Sequence, residues 1–258
     1  MTKDKRRDKI LEMLSKKGSV EVVELAKLFN RSEMSIRNDL NYLSDMGRLQ
    51  RIYGGALSWS TGTLEVSLRD KLMRNLREKS MIGTAAADLV HEGDSIMLDS
   101  GTTTQQVAKN LSNTRNLTVI TNGINIINTL AGIDEIALYT VGGQINARSF
   151  AIVGSDAERS LERYYAKLCV ISVDGVDLER GLTNNSQSDA NITRILLKQS
   201  GRKILVSDSS KFGKIALVPI SPLADMDVLV TDDKAPATFV EAARDLGLEV
   251  IGARDAGV

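Results

Sequence analysis

The segment whose residue types are best suited to binding a ligand spans residues 99–104, which read Asp, Ser, Gly, Thr, Thr and Thr. It lies between an apolar run typical of a buried strand and a stretch with the apolar spacing of a helix. Glycine allows close approach of the backbone, and hydroxyls and amides at a helix N-terminus can hold an anion. The pattern is neither a Walker loop nor a dinucleotide fingerprint, so no nucleotide and no other cofactor is predicted. Residues 100–104 form the predicted anion site, and the effector-binding residues predicted in this segment are Asp99, Ser100, Gly101, Thr102, Thr103 and Thr104.

Polar residues also follow other predicted strands of the same region. They are Thr121, Asn122, Gly142, Gly143, Asp174 and Lys211. Because the ends of parallel strands meet in one crevice, where ligands bind, we expect these residues to line one binding site. Lys211 is the predicted cation for a phosphate group held by residues 100–104. In the alternative interpretation the hydroxyls only cap a helix, and Lys211 is a solvated surface charge.

A second group of polar residues lies on one face of a predicted helix near the N-terminus. At 100° per residue, Met34, Asn38 and Asn41 lie opposite an apolar stripe, and Ser35 and Arg37 flank them. A helix that reads the major groove needs this arrangement, with an apolar face for anchoring and hydrogen-bonding side chains for bases. The alternative is a small solvent-exposed helical domain. The predicted DNA contacts are Ser32, Met34, Ser35, Arg37, Asn38, Arg48 and Arg51.

Periodicity predicts the elements that position these side chains. Residues 1–57 predict three helices, the third capped by Ser32, and a glycine-turn hairpin, which together form a winged helix-turn-helix. Residues 58–68 predict a linker. A charged helix with leucines at 68, 72 and 76 follows, and it is expected to extend to Leu89.

The remainder, residues 69–258, is predicted to form an α/β domain. Short apolar strands alternate with helical stretches from residue 93 onward, which is typical of a mostly parallel sheet covered on both faces. The predicted strands are 95–99, 117–121, 135–141, 167–173, 203–207, 228–231 and 249–251. The predicted helices are 103–111, 124–130, 156–165, 189–199 and 236–246.

Charge and composition narrow the class of protein. The chain has 33 basic residues (Lys plus Arg) and 33 acidic residues (Asp plus Glu). Residues 1–57 hold 12 basic and 8 acidic residues, so their net charge is +4 and that of the remaining residues is −4. A basic head on an acidic body is typical of a DNA-binding module joined to another domain. The sequence shows neither a secretory segment nor an apolar run near the roughly 18 residues of a membrane helix, which predicts a cytoplasmic protein without a membrane partner. With one cysteine and one histidine, Cys169 and His91, no disulfide and no transition-metal site is expected.

Several of these segments occur in the order found in the DeoR/GlpR family of bacterial repressors of sugar operons, which the chain resembles. The segments are 32–40, 51–57, 99–104, 121–122, 142–143, 173–177 and 208–213. The resemblance implies double-stranded operator DNA and a phosphorylated sugar effector as partners. It also implies repression, and a sensor fold shared with ribose-5-phosphate isomerase, coenzyme A transferases and glucosamine-6-phosphate deaminase. Residues 99–104 and 173–181 look most like regulators of amino-sugar, ketose or hexitol operons.

The same resemblance makes a sugar-phosphate isomerase with an accessory DNA-binding head the alternative function. Isomerisation needs a positioned base, and Asp99, Asp174 and Asp177 are the carboxylates expected near the crevice. Where relatives often carry Asn-Glu, this chain has Ser186-Gln187, and a neutral glutamine cannot abstract a proton. We therefore predict a regulator with no catalytic residues. A single winged helix buries too little DNA surface for tight binding, so we also predict a homo-oligomer formed through the larger domain.

Overall fold

The computed structural model of the chain describes residues 3–17, 19–45, 49–52, 54–57, 71–72 and 74–253. Two compact units divide between Arg74 and Asn75. The predicted linker at 58–68 and the predicted DNA contact Arg48 lie outside the described residues. None of the helices in the described ranges combines the length and apolar character needed to cross a membrane.

The first unit is a winged helix-turn-helix, as predicted. Its helices are α1 (Lys3–Lys17), α2 (Val22–Phe29) and α3 (Glu33–Asp45). Three short antiparallel strands, β1 (Ser19–Glu21), β2 (Gln50–Ile52) and β3 (Gly55–Leu57), pair in the order β1-β3-β2. The core holds the predicted apolar stripes, with Ile10, Leu25, Ile36 and Leu40 fully buried. Strand β1 is not predicted from the sequence, because three residues are too few to show alternation.

The second unit is built on a seven-stranded parallel sheet. Its strands are β4 (Ser95–Leu98), β5 (Leu117–Thr121), β6 (Ile136–Thr140), β9 (Ala166–Ile171), β12 (Ser200–Val206), β14 (Val228–Asp232) and β15 (Glu249–Ala253), in the spatial order β15-β14-β12-β9-β4-β5-β6. Its helices are α4 (Leu76–Ala87), α5 (Thr102–Asn110), α6 (Ile124–Leu130), α7 (Ser155–Leu161), α8 (Gln187–Lys198) and α9 (Ala237–Asp245). Alternate residues of β9 enter two separate cores, Cys169 and Ile171 on one face and Leu168 and Val170 on the other. Both faces are therefore covered, as the continuous apolar runs predict.

Short antiparallel elements decorate this sheet and are not predicted from the sequence. A two-stranded ribbon pairs β7 (Gln144–Asn146) with β8 (Ala151–Val153). A three-stranded sheet pairs β10 (Gly175–Asp177), β11 (Gly181–Asn184) and β13 (Val218–Ser221). Strands of three or four residues carry too little alternation to be distinguished from loops.

The predicted helix across residues 68–89 is interrupted at Asn75. Lys71 and Leu72 are helical, but Asn75 has left-handed backbone geometry with φ of 51°, and α4 begins at Leu76. A continuous α-helix cannot pass through that conformation, so the predicted leucine stripe is interrupted. Leu76 is exposed, while Ile82 and Ala86 are buried as expected. The other predicted elements are present, with ends that differ by a few residues, and those at 117–121 and 124–130 coincide with β5 and α6.

Candidate functional site

The carboxyl ends of four neighbouring parallel strands form one polar crevice. In the order β12-β9-β4-β5 these ends carry Asp208, Asp174, Asp99 and Asn122. The chain order reverses between β9 and β4, since β5 and β6 extend the sheet on one side of β4 and the later strands extend it on the other. Such a switch point opens a crevice outside the strand ends, which is where ligands bind in open α/β sheets.

The loop after β4 forms the floor of this crevice and leads into α5. Gly101 precedes the helix, and its carbonyl accepts hydrogen bonds from the Thr104 hydroxyl and the Gln105 amide, both at 3.1 Å. A Cβ atom at Gly101 would lie 2.3 Å from the Ser172 hydroxyl, so a larger residue would force the Ser172 side chain to move. Thr102, Thr103 and Thr104 are buried. The first amides of a helix have no intrahelical acceptor, so this end of α5 is suited to an anion.

Two asparagines bring unused acceptors to the same place. Asn122 Nδ2 donates to the Ile152 carbonyl at 3.3 Å, and Asn125 Nδ2 donates to the Gly101 carbonyl at 2.8 Å. Among the described residues, the Oδ1 atoms of both asparagines are buried without a hydrogen-bond partner. The hydroxyl of Thr121, a predicted ligand contact, donates its proton to the Leu98 carbonyl at 2.7 Å inside the fold. Asn125 is absent from the sequence prediction, although it lies in the first turn of the helix that follows Asn122.

Asp99 is a buried acid of the crevice with a strongly raised pKa. The pKa of Asp99 is raised to about 8, chiefly by burial; the charges of Asp189 and Asp174 contribute to the rise, and hydrogen bonds from Thr193 and the Ser100 amide oppose it. The Thr193 hydroxyl lies 3.0 Å from Asp99 Oδ2 and 3.0 Å from the Asp189 carbonyl. A protonated Asp99 can therefore donate to Thr193, which in turn donates to that carbonyl. Asp99 is mostly neutral at pH 7.

Lys211 lies at the other side of the crevice, in a short turn after β12. Its Nζ is 3.9 Å from Asp174 Oδ1, and Asp174 Oδ2 accepts from the backbone amide and the side chain of Asn185 at 3.1 and 3.0 Å. Asp208 begins the turn and is buried. Burial favours a higher pKa for Asp208, but hydrogen bonding by Ser210 and the positive charges of Lys211 and Lys79 lower the pKa below its ordinary value. Asp208 is therefore ionised at neutral pH.

The remaining predicted residues have other surroundings. Gly143 lies where a Cβ atom would come within 2.7 Å of the Val153 carbonyl, whereas Gly142 has open space around it. Asp177, also expected near the crevice, accepts from two amides in the turn between β10 and β11. Asp189, from α8, interacts with Asp99, and its carboxylate accepts from Asn146 and Ser149.

The first unit presents a polar helix face. Met34 on α3 is 65% exposed, and Arg37, Asn38 and Asn41 are also exposed on that helix, whose opposite side is buried. The Ser32 hydroxyl accepts from the Ser35 amide at 3.3 Å, which caps the helix. Arg37 pairs with Glu33 one turn earlier at 2.9 Å, with both side chains about half exposed. A contact of this kind is weak and can be exchanged for a phosphate or a base.

Two arginines fix this helix to its neighbours. Arg51, from β2, donates to the Asn41 side chain at 3.0 Å and to the Gly55 carbonyl, which joins the hairpin to α3. Arg6, from α1, forms an ion pair with Asp39 of α3 at 2.6 Å, and the side chains are only 4% and 2% exposed. Sequence periodicity does not reveal the second contact, because Asp39 neighbours Asn38 and Leu40 without any sign that it is buried.

Comparison with known proteins places both units in one family. The description "DeoR-like helix-turn-helix domain" matches residues 6–61, and "DeoR C terminal sensor domain" matches residues 74–233. A putative aga operon transcriptional repressor from Escherichia coli O157:H7 is 36% identical, covering 95% of this chain and 92% of that protein. The glycerol-3-phosphate regulon repressor of Escherichia coli K12 is 27% identical over 95% and 97% of the two chains. Ribose 5-phosphate isomerase A from Methanocaldococcus jannaschii is a distant structural neighbour, with a TM-score of 0.40 and 20% identity over 54% and 55% of the chains.

Proposed function

The chain belongs to the DeoR family of transcriptional regulators, and on this basis we propose that it represses a carbohydrate operon and leaves its operator when a phosphorylated sugar binds. The observation that carries the effector assignment is the crevice at the ends of β12, β9, β4 and β5. There a helix N-terminus and Lys211 meet two buried acceptors that have no hydrogen-bond partner among the described residues. This combination suits a ligand that has both an anionic group and hydroxyl donors.

The phosphate is assigned to the α5 end of the crevice. Backbone amides of residues 101–104 and the hydroxyls of Ser100, Thr102 and Thr103 bind its oxygens, and Lys211 supplies the charge. Lys211 Nζ is 3.9 Å from Asp174, a separation that a phosphate oxygen can replace with a shorter contact. The sugar hydroxyls donate to the Oδ1 atoms of Asn122 and Asn125, because leaving a buried acceptor unsatisfied costs about 1–3 kcal/mol.

The operator is assigned to the exposed face of α3. Met34, Arg37 and Asn38 enter the major groove, Asn38 is suited to adenine, and Arg37 reaches a guanine or a phosphate. Ser32 and Ser35 lie at the helix N-terminus, where a DNA phosphate is favoured. Arg51 contacts the DNA backbone from the hairpin while holding Asn41.

We propose further that the chain is not an enzyme, that it acts in the cytoplasm, and that it assembles as a homo-oligomer through residues 69–258. An isomerase needs an ionised base in contact with its substrate. Asp99 is neutral and 4% exposed, and Gln187 donates its amide to Asn191. A dimer would also present two winged helices to the paired half-sites that are common in bacterial operators.

Isothermal titration calorimetry of the full-length protein tests the effector assignment. The panel comprises hexose, hexosamine and pentose phosphates, ketose 1-phosphates and glycerol 3-phosphate, with the unphosphorylated sugars beside them. Lys211→Met should weaken the best phosphorylated compound about tenfold or more, since a hydrogen bond to a charged group contributes about 1.5–3 kcal/mol. Operator affinity without the compound should remain unchanged.

Lys214→Met, three residues along the same loop and exposed, is the matched control and should bind as wild type. Equal affinities for the Lys211 variant and the wild type would contradict the assignment. Consumption of any compound by wild-type protein, followed by NMR, would favour the isomerase alternative.

A further inference from the structure

Asn75 occupies a position where the sensor unit meets the rest of the chain. It is the first residue of the second unit and directly follows Arg74, the last residue of the first. Its backbone is left-handed, a conformation that asparagine adopts more readily than most residues, and it immediately precedes α4. Its side-chain amide Nδ2 donates to Asp208 Oδ1 at 2.8 Å and to the Ser210 hydroxyl at 3.2 Å. The start of the unit is therefore bonded to the turn that carries Lys211.

Asp208 is well suited to hold that bond. It is 2% exposed and ionised, and the same Oδ1 atom accepts from the Ser210 amide at 3.1 Å and from the Ser210 hydroxyl. An amide that donates to a buried carboxylate makes a charge-assisted bond, which is stronger and more directional than a bond between neutral groups. A movement of the turn at 209–211 displaces Ser210, which is bonded to both Asn75 and Asp208 Oδ1.

The first turn of α4 has a second attachment, to a different strand-end loop. Glu78 pairs with Lys234, which lies after β14. The Lys234 amide also donates to Asp232 at 2.9 Å, and the Ser209 amide donates to the same carboxylate at 2.7 Å. Two neighbouring strand-end loops thus hold the start of α4, but only the loop bonded to Asn75 carries the proposed phosphate ligand.

We infer that Asn75 is a positioning residue: when a ligand occupies the crevice, Asn75 changes the backbone conformation of the segment that leads to the DNA-binding unit. This inference rests on the proposed function. The charge of Lys211 acts on Asp208, and Lys211 Nζ lies 3.9 Å from Asp174 Oδ1. A bound phosphate draws Lys211 towards itself, which weakens its pull on Asp208 and shifts the turn. Asn75 follows through its bond to Oδ1. Because Asn75 sets the backbone direction at the junction, the displacement reaches Arg74.

Thermodynamic coupling measures this link directly. The coupling factor is the ratio of the probe's dissociation constants with and without saturating operator, and by linkage it equals the factor by which the probe weakens operator binding. The probe is the tightest compound of the sugar-phosphate panel, with inorganic phosphate as the minimal probe. Asn75→Gly keeps the left-handed backbone and removes only the amide. We expect its operator affinity and its probe affinity to stay within about threefold of wild type, while the coupling factor falls towards 1.

Two controls separate this role from a general structural effect. Asn116 is also left-handed, with φ of 54°, and donates to the exposed Glu92 at 3.0 Å, so Asn116→Gly makes the same chemical change elsewhere. Lys234→Gln removes the other attachment of α4. Both variants should keep the wild-type coupling factor. Loss of coupling in either one to the same degree would assign the effect to the stability of α4 and overturn the inference.

A charge exchange tests the bond itself. Asn75→Asp places a carboxylate against the ionised Asp208 and should abolish coupling. Adding Asp208→Asn restores one donor and one acceptor at the contact and should recover most of it. Wild-type coupling in Asn75→Gly would refute the inference while leaving the proposed function intact. A wild-type protein that binds no phosphorylated compound, or binds one without operator release, would instead refute the proposed function.

Discussion

Asp99 gives a quantitative prediction for stability against pH. The pKa of Asp99 is about 8 in the folded protein, because the carboxyl group is buried, against an ordinary value of 3.8. Between these two values the folded state holds a proton that the unfolded state has released. The contribution of Asp99 to the free energy of unfolding is therefore fully present below the pKa of the unfolded state. It is lost as the pH rises towards 8, with a slope of about 1.4 kcal/mol per pH unit. Above the folded pKa the loss ends.

Asp99→Asn should remove this slope and keep the geometry. The asparagine amide can donate to Thr193, which lies 3.0 Å from Asp99 Oδ2, and its oxygen can accept from the Ser100 amide, now 2.7 Å from Oδ1. Integrating the slope from pH 6 to pH 8, with half-titration at the upper limit, gives about 2 kcal/mol. Wild type should lose that much more unfolding free energy than the variant over this interval.

Urea unfolding of the full-length proteins, followed by circular dichroism at several pH values, measures the difference. Other titrating groups are common to both proteins and cancel. Asp156→Asn is the control, since Asp156 is exposed and pairs with Arg159 on the surface at 2.5 Å, and it should follow the wild-type curve. Parallel curves for wild type and Asp99→Asn between pH 6 and pH 8 would refute the assignment of a neutral, buried Asp99.

Three further predictions concern the head and the assembly. Asn38→Ala should weaken binding to the preferred operator by about 1–3 kcal/mol and relax base preference, whereas Arg51→Ala should weaken binding to all DNA sequences alike. Binding to randomised promoter fragments distinguishes the two variants. A uniform loss of affinity for Asn38→Ala would contradict base readout. Asp39→Asn leaves the buried Arg6 without its carboxylate, so it should destabilise the first unit by about 3–5 kcal/mol. Thermal unfolding measures the loss, and a change in stability within experimental error would mean that the ion pair is solvated. Light scattering at micromolar concentration should show an oligomer, and a monomer with and without DNA would contradict the proposed assembly.

Elements that bury apolar residues at regular spacing could be predicted from the sequence. Strand β9 reads as a continuous apolar run because both of its faces enter a core, and α3 buries Ile36 and Leu40 at four-residue spacing. Burial at regular spacing produces a hydrophobic periodicity in the sequence. The short strands β7, β8, β10 and β11 show no such periodicity. Their positions depend on pairing between distant segments rather than on local pattern.

The site was predictable only where its residues follow a strand. Asp99, Asn122 and Asp174 lie at strand ends, so the sheet topology alone brings them together. Thr193 reaches Asp99 from 94 residues away, and Asn75 reaches Asp208 from 133 residues away. Neither contact has a signal in composition or spacing. The sequence does not indicate Asp189 for the same reason, since the helix that carries it is placed by packing.

The neutral state of Asp99 also resolves a difficulty in the proposed function. Three carboxylates, Asp99, Asp174 and Asp189, interact near a site assigned to a phosphate, and like charges at close range oppose binding. Burial keeps a proton on Asp99 at pH 7, and Lys211 faces Asp174 at 3.9 Å. The crevice therefore carries less negative charge than its composition suggests. The residue types at the strand ends do not determine whether an anion can bind there. The burial that sets their protonation does, and burial is a property of the folded sheet.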